Sequence, residues 1–245
     1  VQAGLAIAAS IGHRQWLAAN HFGFGIIYFD LLAVDRAIES LQIGMSYSRQ
    51  IASRHWIAIH TGVLAQAYLE IGQVEQAGQL LDGAGVLRQP PQAIGERVLS
   101  ASRAQLAAAR GDLPGALALV NELFDSLEPA APDQPNHASS RLLLLRGGLY
   151  AALGRLDDAH ADYETALAAA AAYGERPSLW RLHAAMARLL DTQARLPEAD
   201  EQRAHGRQVI AALAEEVPEP DLRAVFLRGA ERRLSAAPVS LTPGL

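Results

Sequence analysis

Small and apolar residues return at fixed positions along the chain, about every 40 residues, and a short turn motif marks each return. The motif runs from a turn position to an alanine five residues later. It occurs five times, as Leu32–Ala37, Gly72–Ala77, Gly111–Ala116, Gly154–Ala159 and Ala194–Ala199. The turn positions are therefore 40, 39, 43 and 40 residues apart. A period of this length predicts stacked helix pairs rather than a single globular core.

The turn chemistry predicts where the helices end and begin. Gly72, Gly111 and Gly154 fit the left-handed residue that ends many helices. Pro114 and Pro197 each follow a turn position by three residues, where the first turn of a helix tolerates proline. The first helices of the five pairs are predicted at 13–30, 54–71, 93–110, 137–153 and 176–193. The second helices are predicted at 34–52, 74–88, 113–127, 156–173 and 196–214.

This pattern predicts one repeat region with extensions at both ends. The five repeats are predicted at 13–52, 54–88, 93–127, 137–173 and 176–214, within residues 13–214. Residues 1–12 are expected to be the end of a preceding, truncated repeat. Residues 215–235 are predicted to form a capping helix, and residues 236–245 a disordered tail. The proline-rich connection 128–136 is either a hinge or a plain loop between repeats.

Composition narrows the classes of function. The net charge of −5 favours neither DNA nor an anionic membrane surface, so we expect no direct nucleic-acid or membrane partner. The absence of cysteine excludes disulfides, thiol catalysis and the common structural zinc sites. No apolar run approaches the ~20 residues of a membrane helix. These features fit a cytoplasmic protein.

Small and aromatic residues also recur at equivalent positions inside each repeat. Tyr28, Tyr68 and Tyr150 stand four residues before a turn position. The small residues seven positions before each turn are Gly25, Ala65, Ala104, Gly147 and Ala187. With the alanine five positions after each turn, this pattern resembles the tetratricopeptide repeat. The resemblance implies an all-α fold, a right-handed α-solenoid of five antiparallel helix pairs plus a C-terminal capping helix.

The repeat is longer than the usual tetratricopeptide unit of about 34 residues. Long units of this kind, together with a last helix that opens at Asp221, are similar to the sensor arrays of bacterial LuxR-type regulators such as the maltose-regulon activator, which are signalling ATPases. The resemblance implies a non-catalytic protein-interaction and sensor module, a fragment of a larger transcriptional regulator or signalling ATPase. Its partner would be a protein, a peptide or another domain of the full-length chain. The alternative is a receptor domain that binds a small-molecule inducer or a peptide in its concave groove.

The sequence contains no recognisable catalytic or cofactor-binding motif. A lysine-containing phosphate loop is excluded because all 21 basic residues are arginine. His55 and His60 are five residues apart, which does not fit the i,i+4 spacing of a helical metal pair, so surface or hydrogen-bonded histidines are expected. Ser, His and Asp residues form no recognisable catalytic set. We therefore expect no enzyme activity, metal or cofactor.

In tetratricopeptide arrays the first helix of each pair lines the concave groove, and this resemblance gives the candidate binding residues. They are Phe22, Ile26, Phe29, Gln66, Gln105, Arg141, Arg181 and Arg188. Arg141 and Arg181 occupy the same place in consecutive repeats, so two guanidinium groups could hold one carboxylate or phosphate. The alternative is that these arginines are solvated or pair with Asp191.

The stripe formed by Phe22, Ile26 and Phe29 has two interpretations. Either repeats that precede it along a longer chain cover it, or it is an exposed patch on which a partner docks.

Overall fold

The computed structural model describes residues 1–85, 91–127 and 140–236. These ranges contain twelve α-helices and no strand, and the predicted all-α fold of five helix pairs followed by a further helix is confirmed. The helices are α1 (Gln2–Ser10), α2 (Arg14–Asp30), α3 (Val34–Gln50), α4 (Arg54–Glu70), α5 (Val74–Asp82), α6 (Ile94–Ala109), α7 (Leu113–Asp125), α8 (Ser140–Ala152), α9 (Leu156–Tyr173), α10 (Arg176–Thr192), α11 (Leu196–Glu215) and α12 (Pro220–Leu234).

The chain folds as two compact units, and each is described by itself. The N-terminal unit, Val1–Ser126, contains α1 to α7. Helix α2 packs against α3, α4 packs against both α3 and α5, and α6 packs against both α4 and α7. Apolar side chains from these helices, including Leu41, Leu64 and Leu99, form one buried cluster.

The C-terminal unit, Leu127–Leu245, contains α8 to α12. Helix α10 is central, because it packs against α8, α9, α11 and α12. Trp180 of α10 meets Phe226 of α12 edge to face, with ring centroids 6.2 Å apart. Both side chains are buried, so α12 covers the apolar side of α10 as the predicted cap.

All five turn positions adopt the left-handed backbone conformation. The φ angle is 76° at Gly72, 86° at Gly111 and 76° at Gly154, as the glycines predict. Leu32 and Ala194 take the same conformation, with φ of 60° and 59°, although a side chain disfavours it. At each turn the next residue donates its N–H, at 2.9 Å, to the carbonyl four residues before the turn position. This bond satisfies a carbonyl group at the end of the first helix.

The alanine that follows each turn is completely buried. Ala37, Ala77, Ala116, Ala159 and Ala199 each have 0% exposure. The small residues before the turns are buried as well, and a Cβ built on Gly25 would lie 2.6 Å from the Leu41 side chain. Paired helices therefore approach each other more closely than larger side chains would allow.

One predicted helix boundary is wrong. The second helix of the second pair ends at Asp82 rather than at residue 88, and two non-helical glycines, Gly83 and Gly85, follow it. The last helix runs from Pro220 to Leu234, inside the segment 215–235 and one residue from its predicted start at Asp221. The proposed hinge at 128–136 and the tail after Ala236 lie outside the described residues.

Candidate functional site

The apolar stripe of α2 lies in the seam between the first two helix pairs. Phe22, Ile26 and Phe29 are half-buried and pack against the apolar cluster of the N-terminal unit. The ring centroid of Phe22 is 5.9 Å from that of Trp56 and 5.7 Å from that of His60. The following helix pair thus covers much of this stripe, an arrangement that neither interpretation of the sequence considered.

The two candidate glutamines lie at equivalent positions on α4 and α6. Gln66 is half-buried and donates a hydrogen bond to Ser102 at 3.0 Å. The Ser102 hydroxyl is also within 2.9 Å of the Gly62 carbonyl, so these groups connect α4 to α6. Gln105 is half-buried on α6. Gln66 therefore has a structural hydrogen bond at the place where a ligand contact was predicted.

The candidate arginines Arg141 and Arg181 lie on α8 and α10, which pack directly against each other. Arg141 is exposed in the first turn of α8. Arg181 is half-buried, donates a hydrogen bond to the Pro177 carbonyl at 2.5 Å, and has its guanidinium carbon 4.5 Å from the centre of the Trp180 ring. Packing of α8 on α10 places the two equivalent positions one repeat apart within the same unit.

Arg188 of α10 contacts the C-terminal end of α12. Its guanidinium donates a hydrogen bond to the carbonyl of Arg233, at the C-terminal end of α12, at 3.1 Å. Burial lowers the pKa of Arg188, while Tyr163 opposes that shift and Arg233 adds to it. Burial also raises the pKa of Tyr163 to about 12. Arg188 therefore helps to satisfy the last carbonyls of α12 and joins this helix to α10.

Asp191, the carboxylate that was considered as a partner of Arg141 or Arg181, is paired with Arg203 of α11. Arg203 also contacts Asp200, at 2.8 Å. Asp191 is nearly buried, and its partner is only 19% exposed, so this pair links α10 to α11 inside the unit.

A second ion pair inside the C-terminal unit was not anticipated. Arg146 of α8 binds Asp162 of α9 through two parallel hydrogen bonds, both of 2.7 Å. The Asp162 side chain is only 9% exposed, and its hydrogen bonds to Arg146 are the main cause that raises the pKa of this arginine. The sequence carries one signal for such a pair, since an aspartate in the middle of a helix needs a partner when neighbouring helices cover it.

The described ranges contain no group of three or more His, Asp or Glu residues arranged to hold a metal ion. They also contain no helix that is long and apolar enough to cross a membrane.

Comparisons with known proteins identify the fold. No protein-family model and no curated protein matches the chain. The crystal structure of a thermophilic TPR protein from Thermus thermophilus gives a TM-score of 0.53, with 23% identity over 86% of this chain and 97% of that chain. The crystal structure of the MamA protein gives a TM-score of 0.44, with 13% identity over 83% of this chain and 97% of that chain. The crystal structure of a tetratricopeptide repeat protein from Parabacteroides merdae gives a TM-score of 0.37, with 16% identity over 89% of each chain. The first similarity supports a tetratricopeptide-type helical repeat, and the other two are too distant to add to that argument.

Proposed function

We propose that the chain is a non-catalytic protein-interaction module that binds an acidic segment of a partner through the first helices of its C-terminal unit. The observation that carries this proposal is the placement of Arg141 and Arg181 at equivalent positions of two helices in direct contact. Two guanidinium groups one repeat apart suit carboxylates that are spaced along a peptide, because each group can bind a carboxylate through two parallel hydrogen bonds.

The surroundings of Arg181 support a binding role. Its guanidinium is already held by the Pro177 carbonyl and the Trp180 ring. A side chain that is ordered before binding loses less conformational freedom when the ligand arrives, so more of the interaction energy contributes to affinity. Arg141 is exposed in the first turn of α8, where a ligand can reach it from solvent.

The proposal extends to the setting in which the module works. The long repeat unit, and the resemblance that it carries, favour a sensor module of a larger bacterial transcriptional regulator or signalling ATPase, acting in the cytoplasm. In such a protein the acidic segment would belong to a regulatory partner or to another domain of the same full-length chain. Binding of that segment would then report the state of the partner to the rest of the regulator.

The test is a titration of the 245-residue chain into a fluorescein-labelled, glutamate-rich peptide, followed by fluorescence anisotropy. We expect saturable binding that weakens as salt is added, because exposed charges are screened. Replacing Arg141 and Arg181 together with alanine should weaken binding by at least about tenfold, since hydrogen bonds to charged groups contribute ~1.5–3 kcal/mol each. Helicity, measured by circular dichroism, should remain unchanged.

The matched control replaces Arg228 and Arg232 with alanine, which removes the same charge from exposed positions of α12. If both double variants weaken binding equally, binding depends on the net charge and not on these two positions, which would contradict the proposal. A second titration uses a phosphorylated sugar in place of the peptide. Tight binding of the sugar alone would favour the alternative, a small-molecule receptor.

A further inference from the structure

One position of the repeat holds a different type of residue in the second repeat than in the three repeats that follow it. Twelve residues before the turn position stand Leu99, Leu142 and Leu182 in the third, fourth and fifth repeats. Leu99 and Leu182 are buried. The second repeat has His60 at this position, with 0% exposure. A titratable ring therefore occupies a core position of the N-terminal unit that leucine fills in three other repeats, while the first repeat has Asn20 there.

The contacts of His60 define which ring nitrogen carries the hydrogen when the ring is neutral. Its Nδ1 lies 2.8 Å from the Trp56 carbonyl and 3.2 Å from the Ser48 hydroxyl. Since a carbonyl only accepts, Nδ1 carries the hydrogen of the neutral ring and Nε2 carries the lone pair. Nε2 is buried without a hydrogen-bond partner among the described residues, and it lies so close to Gly44 of α3 that a Cβ at this glycine would overlap it.

Protonation of this ring would place a new N–H and a positive charge inside the seam. The ring is enclosed by Phe22 of α2 and Trp56 of α4, whose ring centroids are 5.7 and 6.0 Å away. The Ala18 backbone carbonyl favours the protonated ring, but burial has the larger effect on the pKa of His60. A buried charge without a partner of opposite charge is costly, so the packed seam favours the neutral ring.

The other titratable groups at the seam do not offset this charge. His21 of α2 is the one titratable side chain among the described residues that shifts the pKa of His60, and it lowers that pKa further. Tyr47 of α3 stacks on the His21 ring, and His55 of α4 lies against Trp56. No carboxylate of α2, α3, α4, α5 or α6 contributes to the pKa of His60 as far as these helices are described.

We infer that the packing of α2 and α3 on α4 is a proton-sensitive seam, which is closed while His60 is neutral and opens when the ring binds a proton. This device is independent of the proposed binding by Arg141 and Arg181, which belong to the other unit. It gives the N-terminal unit a response to mild acid that repeats with leucine at the same position lack.

The direction of the effect follows from the pKa. Burial is the largest cause that lowers the pKa of His60 below its ordinary value of 6.5, and the Trp56 and Ala18 backbone only partly opposes it. The stability that the neutral ring contributes is complete above pH 6.5 and is lost as the pH falls from 6.5 towards the lowered pKa. Each unit by which the pKa is lowered corresponds to about a tenfold rise in the opening constant at the acid end.

The first experiment measures hydrogen exchange of the intact chain at about pH 7.5 and about pH 5.0, on either side of the histidine range, corrected for the intrinsic pH dependence of exchange. We expect α2, α3 and α4 to lose protection at the acid pH, because the seam opens when His60 binds a proton. His60→Leu, which introduces the residue of the other repeats, should remove most of that loss. His60→Gln keeps a polar side chain but does not titrate in this range, so it should also remove most of that loss. It serves as the test if the leucine variant folds poorly.

The control variant is His205→Leu, because His205 is exposed on α11 of the other unit and should leave the exchange of α2 to α4 unchanged. An NMR titration of the parent gives the pKa of His60 directly. A pKa at or above the ordinary value of 6.5 would overturn the inference. Equal loss of protection in the parent and in both His60 variants would overturn it as well and would assign the acid response to other groups, His21 first.

Discussion

The two units share one scaffold but bury different polar groups. Both use left-handed turn residues and fully buried alanines at the same positions. The N-terminal unit buries a neutral histidine, His60, against Ser48. The C-terminal unit buries charges instead, in the pair of Arg146 with Asp162 and the pair of Arg203 with Asp191.

This difference shows that the repeat scaffold tolerates polar groups in its core in two ways. A buried ion pair satisfies both partners, so it holds two helices together as long as neither partner is removed. A buried histidine without a partner of opposite charge favours the neutral ring, so its contribution to stability depends on pH. The scaffold is therefore common to both units, whereas the response to a change of conditions is specific to each.

The largest expected effect concerns the buried charges of the C-terminal unit. Asp162→Asn leaves Arg146 without its charged partner and should lower the free energy of unfolding by about 3 kcal/mol. Asp158→Asn, which breaks an ion pair with Arg155 whose side chains are both 49% exposed, should lower it by less than about 1 kcal/mol. Urea unfolding followed by circular dichroism compares the two variants. Equal losses would show that the buried pair is no more important than a surface pair.

A smaller effect is expected at the alanines that both units share. Ala116→Leu in the N-terminal unit and Ala159→Leu in the C-terminal unit add a large side chain where exposure is 0%, and each should cost about 1–3 kcal/mol. The matched controls are Ala118→Leu and Ala161→Leu, the same change at exposed positions of the same helices. We expect these controls to change the urea midpoint little. If a buried and an exposed variant unfold alike, the assigned repeat positions are wrong.

The smallest effect concerns the non-glycine residues with positive φ. Ala52 and Ala194 are exposed and have φ of 48° and 59°, a conformation that costs a residue with a side chain about 1–2 kcal/mol. Glycine relieves this strain but adds freedom to the unfolded chain, so Ala52→Gly and Ala194→Gly should raise stability by up to about 1 kcal/mol. Ala168→Gly, in the exposed interior of α9, should instead destabilise by a similar amount. If thermal unfolding shows that Ala194→Gly lowers the stability, the strain argument is wrong.

The candidate site was only partly predictable. Equivalence of Arg141 and Arg181 could be derived from the period, because the helix that carries each position is set by the local turn. The period did not reveal that Phe22 faces the following helix pair or that Arg188 contacts the end of α12. The sequence does distinguish His60, because three other repeats have leucine at its position.

The sequence by itself determined the helix pairs, the turns and the close approach of the helices. These features depend on local backbone conformation and on side-chain size. Gly154 and Pro197 indicate the backbone conformation, and Ala199 indicates the need for a small side chain. Tertiary structure alone decided which polar groups are buried and paired. Arginine, aspartate and histidine occur both on surfaces and in cores. Whether Asp162 is solvated or bound to Arg146, and whether His60 can accept a proton, depends on which helix packs over it.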